Sequence, residues 1–574
     1  MLKQLSFLAL ILFISTFFVA CEKINQSKEL SISENIRLNQ LGYYPNAMKK
    51  VVVVDSIDHE KFQLVDSKTK EVIYEGQLSD SQTWKLAGEK VQIADFSEIK
   101  TEGSYQILVD NFGFSYPFKI KKNVLDTAFI GSIRGMYYQR VSIPLDEKHA
   151  GKWHREMAHP DDQILFHPSS GKTTGSIKSS GGWYDAGDYN KYVVNGSFPL
   201  GQFFLLQEQY PEILKDKTLN IPESGNGNSD YLDELKYEMD WLLTMQDDDG
   251  GLFHKLTSKN FQGMVMPNKA TAQRYIVGKG TAATLDFTAC AAQAFRVFKN
   301  QDEDYANTCL EASKKAYAWA LKNPAIEFRN PEDVHTGQYG DNDFNDEWFW
   351  ANTELFVSTK DVKYFENLKK DNLDFNFVPG DNWKSFMRFM GMFTILDNKD
   401  IVPEEFYGQI EAGILNTANK LVDKAKNLDY FQAIDDFQWG SNSDVLNTAM
   451  IMAQAYRLTK EQKYLIGVQQ SADYIFGNNA NGYSYLTGFG AKTPLFIHHR
   501  QSAGDKIEEP VPGLLSGGPN SRLQDAGSGV VYAENPSPMK SWADQEESFA
   551  SNEICLNWNA PLTYVIGFLE QEAN

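Results

Sequence analysis

Two carboxylates three residues apart, Asp185 and Asp188, stand in the run Gly181-Gly182-Trp183-Tyr184-Asp185-Ala186-Gly187-Asp188-Tyr189. With Ala and Gly between them and aromatic rings around, they fit a pair that points into one cleft and shares a water, which one of them deprotonates. The same spacing fits a solvated turn, since Asp and Gly are common turn formers. A third carboxylate, Glu553, follows Asn552 and precedes Ile554-Cys555-Leu556 and Asn557-Trp558-Asn559-Ala560-Pro561. At the start of an apolar helical turn it suits a plain charge favoured by the helix dipole. It equally suits a partly desolvated acid whose raised pKa lets it give a proton to a leaving oxygen. Ile497-His498-His499-Arg500 is the third cluster. Adjacent His side chains point to opposite sides of an extended chain, which argues against a metal shared by the two. His498 and Arg500, two apart, face one way and suit hydrogen bonds to hydroxyl groups, or an exposed loop.

Other chemistries fit poorly. Phe166-His-Pro-Ser-Ser-Gly171-Lys172-Thr173 ends like a phosphate loop but has Phe where the first Gly must be. Gly278-Lys-Gly280-Thr-Ala-Ala283 matches a dinucleotide fingerprint loosely, in a region that reads as helical. Neither a Gly-x-Ser-x-Gly elbow nor a His-Glu-x-x-His zinc helix is present in the sequence. The formal charge of −21 argues against nucleic acid and anionic lipid surfaces as partners and for a neutral substrate. Aromatic residues make up 13% of the chain, including 11 Trp and 27 Tyr, enough to line a binding cleft as well as fill a core.

The elements that must position these groups divide the chain. At about 100 to 200 residues per domain, 574 residues imply two or more domains or one large one. Lys3 and the apolar run Leu5 to Ala20 read as a signal peptide over residues 1–21, because the run is too short to span a bilayer. It ends Phe18-Val19-Ala20-Cys21, which resembles a bacterial lipobox and implies acylation of Cys21. Residues 22–34 are polar and aperiodic, as a flexible tether is. From 35 to 122, the β-branched run Val51 to Val54 and the alternating Tyr105, Ile107, Val109 and Tyr116, Phe118, Ile120 predict a β-sandwich. From 123 to 574 the period becomes helical, as in Leu232, Leu235, Met239, Leu242 and in Ala449, Met452, Ala453, Tyr456. After Cys21 only Cys290, Cys309 and Cys555 remain, an odd number, so no disulfide framework is expected.

Taken together, these segments resemble family 9 glycoside hydrolases, the cellulase family whose catalytic domain is an (α/α)6 barrel. Ser484 to Arg500 fits the family's His-Arg signature, including Gly490, Lys492, Ile497, His498 and Arg500. Gly182 to Asp188 and Asn552-Glu553 with Trp558-Asn559-Ala560-Pro561 fit its two catalytic segments, and Arg37-Leu38-Asn39-Gln40-Leu41-Gly42-Tyr43 resembles the start of the immunoglobulin-like module found before the barrel in one branch. The resemblance implies a small N-terminal immunoglobulin-like β-sandwich followed by an all-α (α/α)6 barrel. It implies Asp188 as general base, Asp185 as the carboxylate that helps hold the water, and Glu553 as general acid. His498 and Arg500 would bind sugar hydroxyls, and Trp439 and Trp558 would offer stacking faces. Inversion requires the Asp188 and Glu553 carboxyls to lie about 6.5 to 9.5 Å apart.

The activity so implied is inverting endo-hydrolysis of a β-1,4-glucan: cellulose, mixed-linkage glucan or xyloglucan. An exo-acting cellodextrinase or β-glucosidase is the alternative. A non-catalytic surface glycan-binding lipoprotein is a third, against which the retained Asp185, Asp188 and Glu553 speak. No cofactor is implied for catalysis. Relatives of this branch often carry zinc bound partly by Cys, but Val141 follows Gln139-Arg140 and Ala158 precedes His159, so zinc is not expected. Asp343, Asp346 and Glu347 resemble a calcium-binding segment of the family, or else form a solvated acidic turn. The lipobox implies anchoring in the envelope of a Gram-negative bacterium, at the outer membrane, with the membrane reached only through the lipid; a monomer suits an enzyme that must approach a long chain.

Overall fold

The computed structural model describes residues 31–55, 59–110, 112–369, 375 and 383–574. The signal segment, Cys21 and most of the tether lie outside the described residues. Pairing begins at Ile32, which bridges to Phe114.

Two sheets form the N-terminal domain. One orders Ile36–Arg37, Lys50–Val54, Glu89–Asp95 and Gln82–Trp84; the other orders Gly42–Tyr43, Phe118–Ile120, Gly103–Val109, Lys61–Asp66 and Val72–Gln77, with Gly113–Phe114 beside Gly103–Val109. The unbroken run Val51 to Val54 has a physical cause. Successive strand residues point to opposite faces, and here both faces are covered: Val51 and Val53 join Leu64, Ile107 and Phe118 inside the sandwich, while Val52 and Val54 join the core that continues into the helical domain.

That domain is a double ring of twelve helices among the described residues. Alternating outer and inner helices follow one another along the chain: α1 Asp126–Gln139, α2 Val193–Gln209, α3 Asp230–Thr244, α4 Thr281–Phe298, α5 Glu303–Lys322, α6 Asn345–Thr359, α7 Val362–Leu368, α8 Met387–Leu396, α9 Glu404–Asn427, α10 Ser441–Thr459, α11 Gln462–Ile475 and α12 Leu556–Glu572. The even-numbered helices form the inner ring, in which α2 packs on α4, α4 on α6, α6 on α8, and α12 on both α10 and α2. This is the (α/α)6 barrel. The outer helix α3 buries Leu232, Leu235, Met239 and Leu242 on one side, as its period predicts. In the inner α10 every residue from Ser441 to Tyr456 is buried, so the single apolar face read from Ala449, Met452, Ala453 and Tyr456 understates it. Inner helices have neighbours all round and carry no solvent face.

A five-stranded sheet within the barrel domain is a feature the helical period did not announce. It orders Ser176–Ile177, Ile164–Phe166, Arg274–Lys279, Phe253–Ser258 and Lys191–Tyr192. The Gly278 to Ala283 run therefore does join a strand to a helix, but α4 leads into α5 and not into a second parallel strand, so the βαβ unit a dinucleotide site needs is not formed.

The sandwich is bound tightly to the barrel. Trp84 packs on Tyr430 and Phe431, at 4.8 and 5.8 Å between ring centroids. The buried Glu89 accepts the Tyr430 hydroxyl at 2.5 Å and pairs with Lys540 at 2.9 Å. Asn39 donates to Asp473 at 2.8 Å, and the Tyr44 hydroxyl to Glu570 at 2.7 Å. Replacing Trp84 by Ala removes the largest ring at this junction and is expected to cost about 3 to 5 kcal/mol. Thermal denaturation should show a lowered Tm, with the sandwich melting apart from the barrel.

Candidate active site

A cavity of about 680 Å³ brings the three sequence clusters together: Asp185, Asp188, His498, Arg500, Glu553, Trp439 and Trp558 all line it. Main-chain bonds between distant segments create this convergence. Ala186 pairs with Cys555, and His498 with Glu553, as isolated bridges. The Leu556 amide donates to the Asp185 carbonyl (3.0 Å), and the His498 amide to that of Asn552 (2.9 Å). Beneath the first segment, the buried Trp183 donates its indole N–H to Glu234 at 2.9 Å and its amide to Glu238 at 2.6 Å. Gly187 is required by closeness: a Cβ there would lie 2.0 Å from the His498 carbonyl oxygen and 3.2 Å from Glu553 Oε1.

The two aspartates are held differently. Asp185 has both oxygens occupied, Oδ1 by Asn195 Nδ2 and Oδ2 by the Tyr339 hydroxyl, each at 2.7 Å. Asp188 Oδ2 accepts from Asn190 Nδ2 and from the Tyr192 hydroxyl, whereas its buried Oδ1 has no partner among the described residues. The lone pairs left for a water are therefore those of Asp188. Burial, reinforced by the charge of Asp188, raises the pKa of Asp185. Burial pushes the Glu553 carboxyl well above the usual range, and Asp188 adds to this while Arg500 opposes it. Glu553 is thus a carboxyl disposed to keep its proton, sharing a cleft with Asp188 and its unpartnered oxygen.

His498 is neutral, since burial takes its pKa down to about 4. Its Nδ1 lies 2.6 Å from the Glu546 carbonyl; an acceptor there puts the hydrogen on Nδ1 and leaves Nε2 as an acceptor. Arg500 donates its amide (3.0 Å) and Nη1 (2.8 Å) to the Gly187 carbonyl and Nε to that of Gln262 (2.8 Å), with the Phe261 ring 5.5 Å from the guanidinium. Trp439 is 42% exposed and rests on Phe549, so it offers a face. Trp558 is only 6% exposed and lies under Gly440, where a Cβ would meet its indole nitrogen at 2.6 Å; it forms wall more than platform.

Sequence reasoning passed over Asn190, Tyr192, Asn195, Tyr339 and Cys555. Asn190 and Tyr192 directly follow the Asp188 motif and were legible as polar groups beside a carboxylate; Tyr339 carries no local signal, since only the fold brings it to Asp185. The proposed calcium ligands do not converge. Asp343 is exposed and accepts the Asn345 amide at 3.2 Å, a local turn at the start of α6. Asp346 and Glu347 hydrogen-bond each other, with burial lifting Asp346 to about 6 and Glu347 well above the carboxylate range. Among the described residues no group of three or more His, Cys, Asp or Glu gathers to hold a metal. Calcium on these three residues is thus not confirmed: Asp343 serves a local turn, and burial disfavours the ionised form of the other two.

The fold and the cleft together define a polysaccharide-cleaving architecture, and the comparisons agree. Residues 126–566 match the model of glycosyl hydrolase family 9, and residues 32–113 that of the cellulase N-terminal ig-like domain. The chain belongs to glycosyl hydrolase family 9 and is a glycoside hydrolase. It is 38% identical to the xyloglucan-specific endo-beta-1,4-glucanase BoGH9A of Bacteroides ovatus, over 99% of each chain. It is 34% identical to endoglucanase D of Acetivibrio thermocellus, over 96% of this chain and 85% of that one. A solved structure described as Bacteroides ovatus GH9 superposes with a TM-score of 0.86 at 37% identity, over 94% of this chain and 99% of the other.

Two substitutions test this geometry. Gly187→Ala should lower kcat by about 100-fold or more, because the added methyl separates segments whose misplacement by an ångström costs that much, while circular dichroism stays unchanged. Tyr339→Phe removes a hydrogen bond that holds the Asp185 pKa down, which raises that carboxyl's pKa further; the acidic limb of the pH–activity curve should move to higher pH.

Proposed function

We propose that this chain is an inverting endo-β-1,4-glucanase whose preferred substrate is xyloglucan. The observation that carries the chemistry is the pairing of an unpartnered Asp188 Oδ1 with a proton-retaining Glu553 across one cleft. Asp188 takes a proton from a water as the oxygen attacks the anomeric carbon, Asp185 helps hold that water, and Glu553 gives its proton to the departing glycosidic oxygen. The product anomer is inverted because water enters from the face opposite the leaving group. Neutral His498 and cationic Arg500 hold hydroxyls beside the scissile bond, and the exposed ring of Trp439 stacks on a sugar face. The full-length likeness to a xyloglucan-specific relative supports the substrate.

Hydrolysis of xyloglucan and of unbranched β-glucans by wild type and Glu553→Gln, followed by product size and anomeric form, tests the reading. Short oligosaccharides released as the α-anomer by wild type, with a loss of kcat of about 10³-fold or more in the variant, are expected. Glucose or cellobiose as sole products would favour exo action. Activity should fall on the alkaline side as Glu553 ionises, since a raised pKa keeps the acid form until that pH is passed.

We further propose that a lipid on Cys21 holds the enzyme at the outer membrane, on the strength of Phe18-Val19-Ala20-Cys21. Cys21→Ala should shift the protein from the membrane to the soluble fraction without changing its specific activity.

A further inference from the structure

A buried cation lies behind the general-base side of the cleft. Lys255, in the strand Phe253–Ser258, is 0% exposed. Its ammonium donates to Asn330 Oδ1 at 2.7 Å, Thr336 Oγ1 at 3.1 Å and the Gly337 carbonyl at 2.7 Å, three neutral acceptors for three protons. No described carboxylate forms an ion pair with it, and a buried charge so held is costly unless opposite charge stands nearby. The charges that favour it are those of Asp188 and Asp185.

The hydrogen bonds lead to the same place. The Tyr192 ring lies 5.5 Å from the Lys255 ammonium. Its hydroxyl accepts the Gly337 amide at 3.1 Å and donates to Asp188 Oδ2 at 3.2 Å. Two and three residues along the strand, Thr257 Oγ1 and the Ser258 amide both donate to Asn190 Oδ1 at 3.0 Å, and Asn190 is the other donor to Asp188. Both donors on the base thus trace back to this strand and to the loop that Lys255 ties down.

We propose that Lys255 is a positioning residue for hydrolysis: its buried charge stands behind Asp185 and Asp188, and its hydrogen bonds hold the Asn330 to Gly337 loop against Tyr192, which orients Asp188. The proposal rests on the reading of Asp188 as general base. Burial lowers the Lys255 pKa to about 7, and its charge lowers that of Asp185, so this support is complete below about 7 and lost as pH rises through that value. The titratable groups that bear on it are Asp185 and Asp188 on the base segment and Tyr192, whose ring it faces and whose pKa burial raises; Tyr339, likewise raised, is bonded to Asp185.

Lys255→Met tests the proposal. Against soluble β-glucan, kcat/KM should fall at least about tenfold, and its acidic limb should move up by about one pH unit. A fall with the limb unmoved would mean a packing role only and overturn the proposal. Wild type assayed alongside separates this from failure of the glucanase reading, in which wild type itself is inactive. A stability measurement needs no activity: Lys255→Met should lower Tm less in an Asp188→Asn background than in wild type, and should fold there even if the single variant does not. Equal losses, or failure to fold in both backgrounds, would overturn the proposal.

Discussion

The carbonyl oxygen of Gly187 accepts both the amide and the Nη1 of Arg500, and with the bridges Ala186 to Cys555 and His498 to Glu553 it gathers three remote stretches of chain. Residues 185–188, 498–500 and 553–556 are not joined by packing alone. They are laced by main-chain bonds that admit no side chain at position 187. Main-chain bonds have short, directional geometry, so the carboxyls they carry inherit positions set to a fraction of an ångström. The rest of the barrel can be understood as what keeps those three stretches in register: α2 leaves the first and α12 leaves the last, and the two helices pack together in the inner ring.

Much of this was legible from residue types, and the limits are physical. The β-branched run at Val51 to Val54 and the one-sided stripe of α3 report their own structure, because each faces a single kind of environment per side. Inner helices such as α10 do not, since full burial erases the polar face on which periodicity depends. Three strands of the third sheet are only two or three residues long, too short for alternation to be told from chance, and Phe253–Ser258 is buried on both faces, so it has no polar face to alternate with.

The site divides along the same line. Asp185, Asp188, His498, Arg500 and Glu553 fall in local motifs, and they meet in one cavity. What distinguishes the two aspartates is not local at all. Tyr339 reaches Asp185 from 154 positions away in the chain, and Lys255 acts from a strand that reads as an ordinary buried one. Chemistry that depends on which oxygen is left without a partner is a property of the assembled fold. The acidic segment at Asp343 to Glu347 shows the converse: its composition suits a cation, but burial of Glu347 at the first turn of α6 raises its pKa and disfavours the charge that composition suggests.

The sandwich also braces the segment that leads to Glu553. Its hairpin around Leu86 to Glu89 takes the Met539 amide on the Leu86 carbonyl (3.0 Å), the Ser537 hydroxyl on the Ala87 carbonyl (2.6 Å) and Lys540 on Glu89. Those partners begin the stretch that runs through Asp544, which accepts the Leu495 and Phe496 amides ahead of His498, into the short helix before Glu553. One end of the Glu553 segment is therefore bonded to a different domain from the one that carries Asp188. The sandwich is in this sense an abutment: the stretch that leads to Glu553 leans on a second folded body as well as on the barrel.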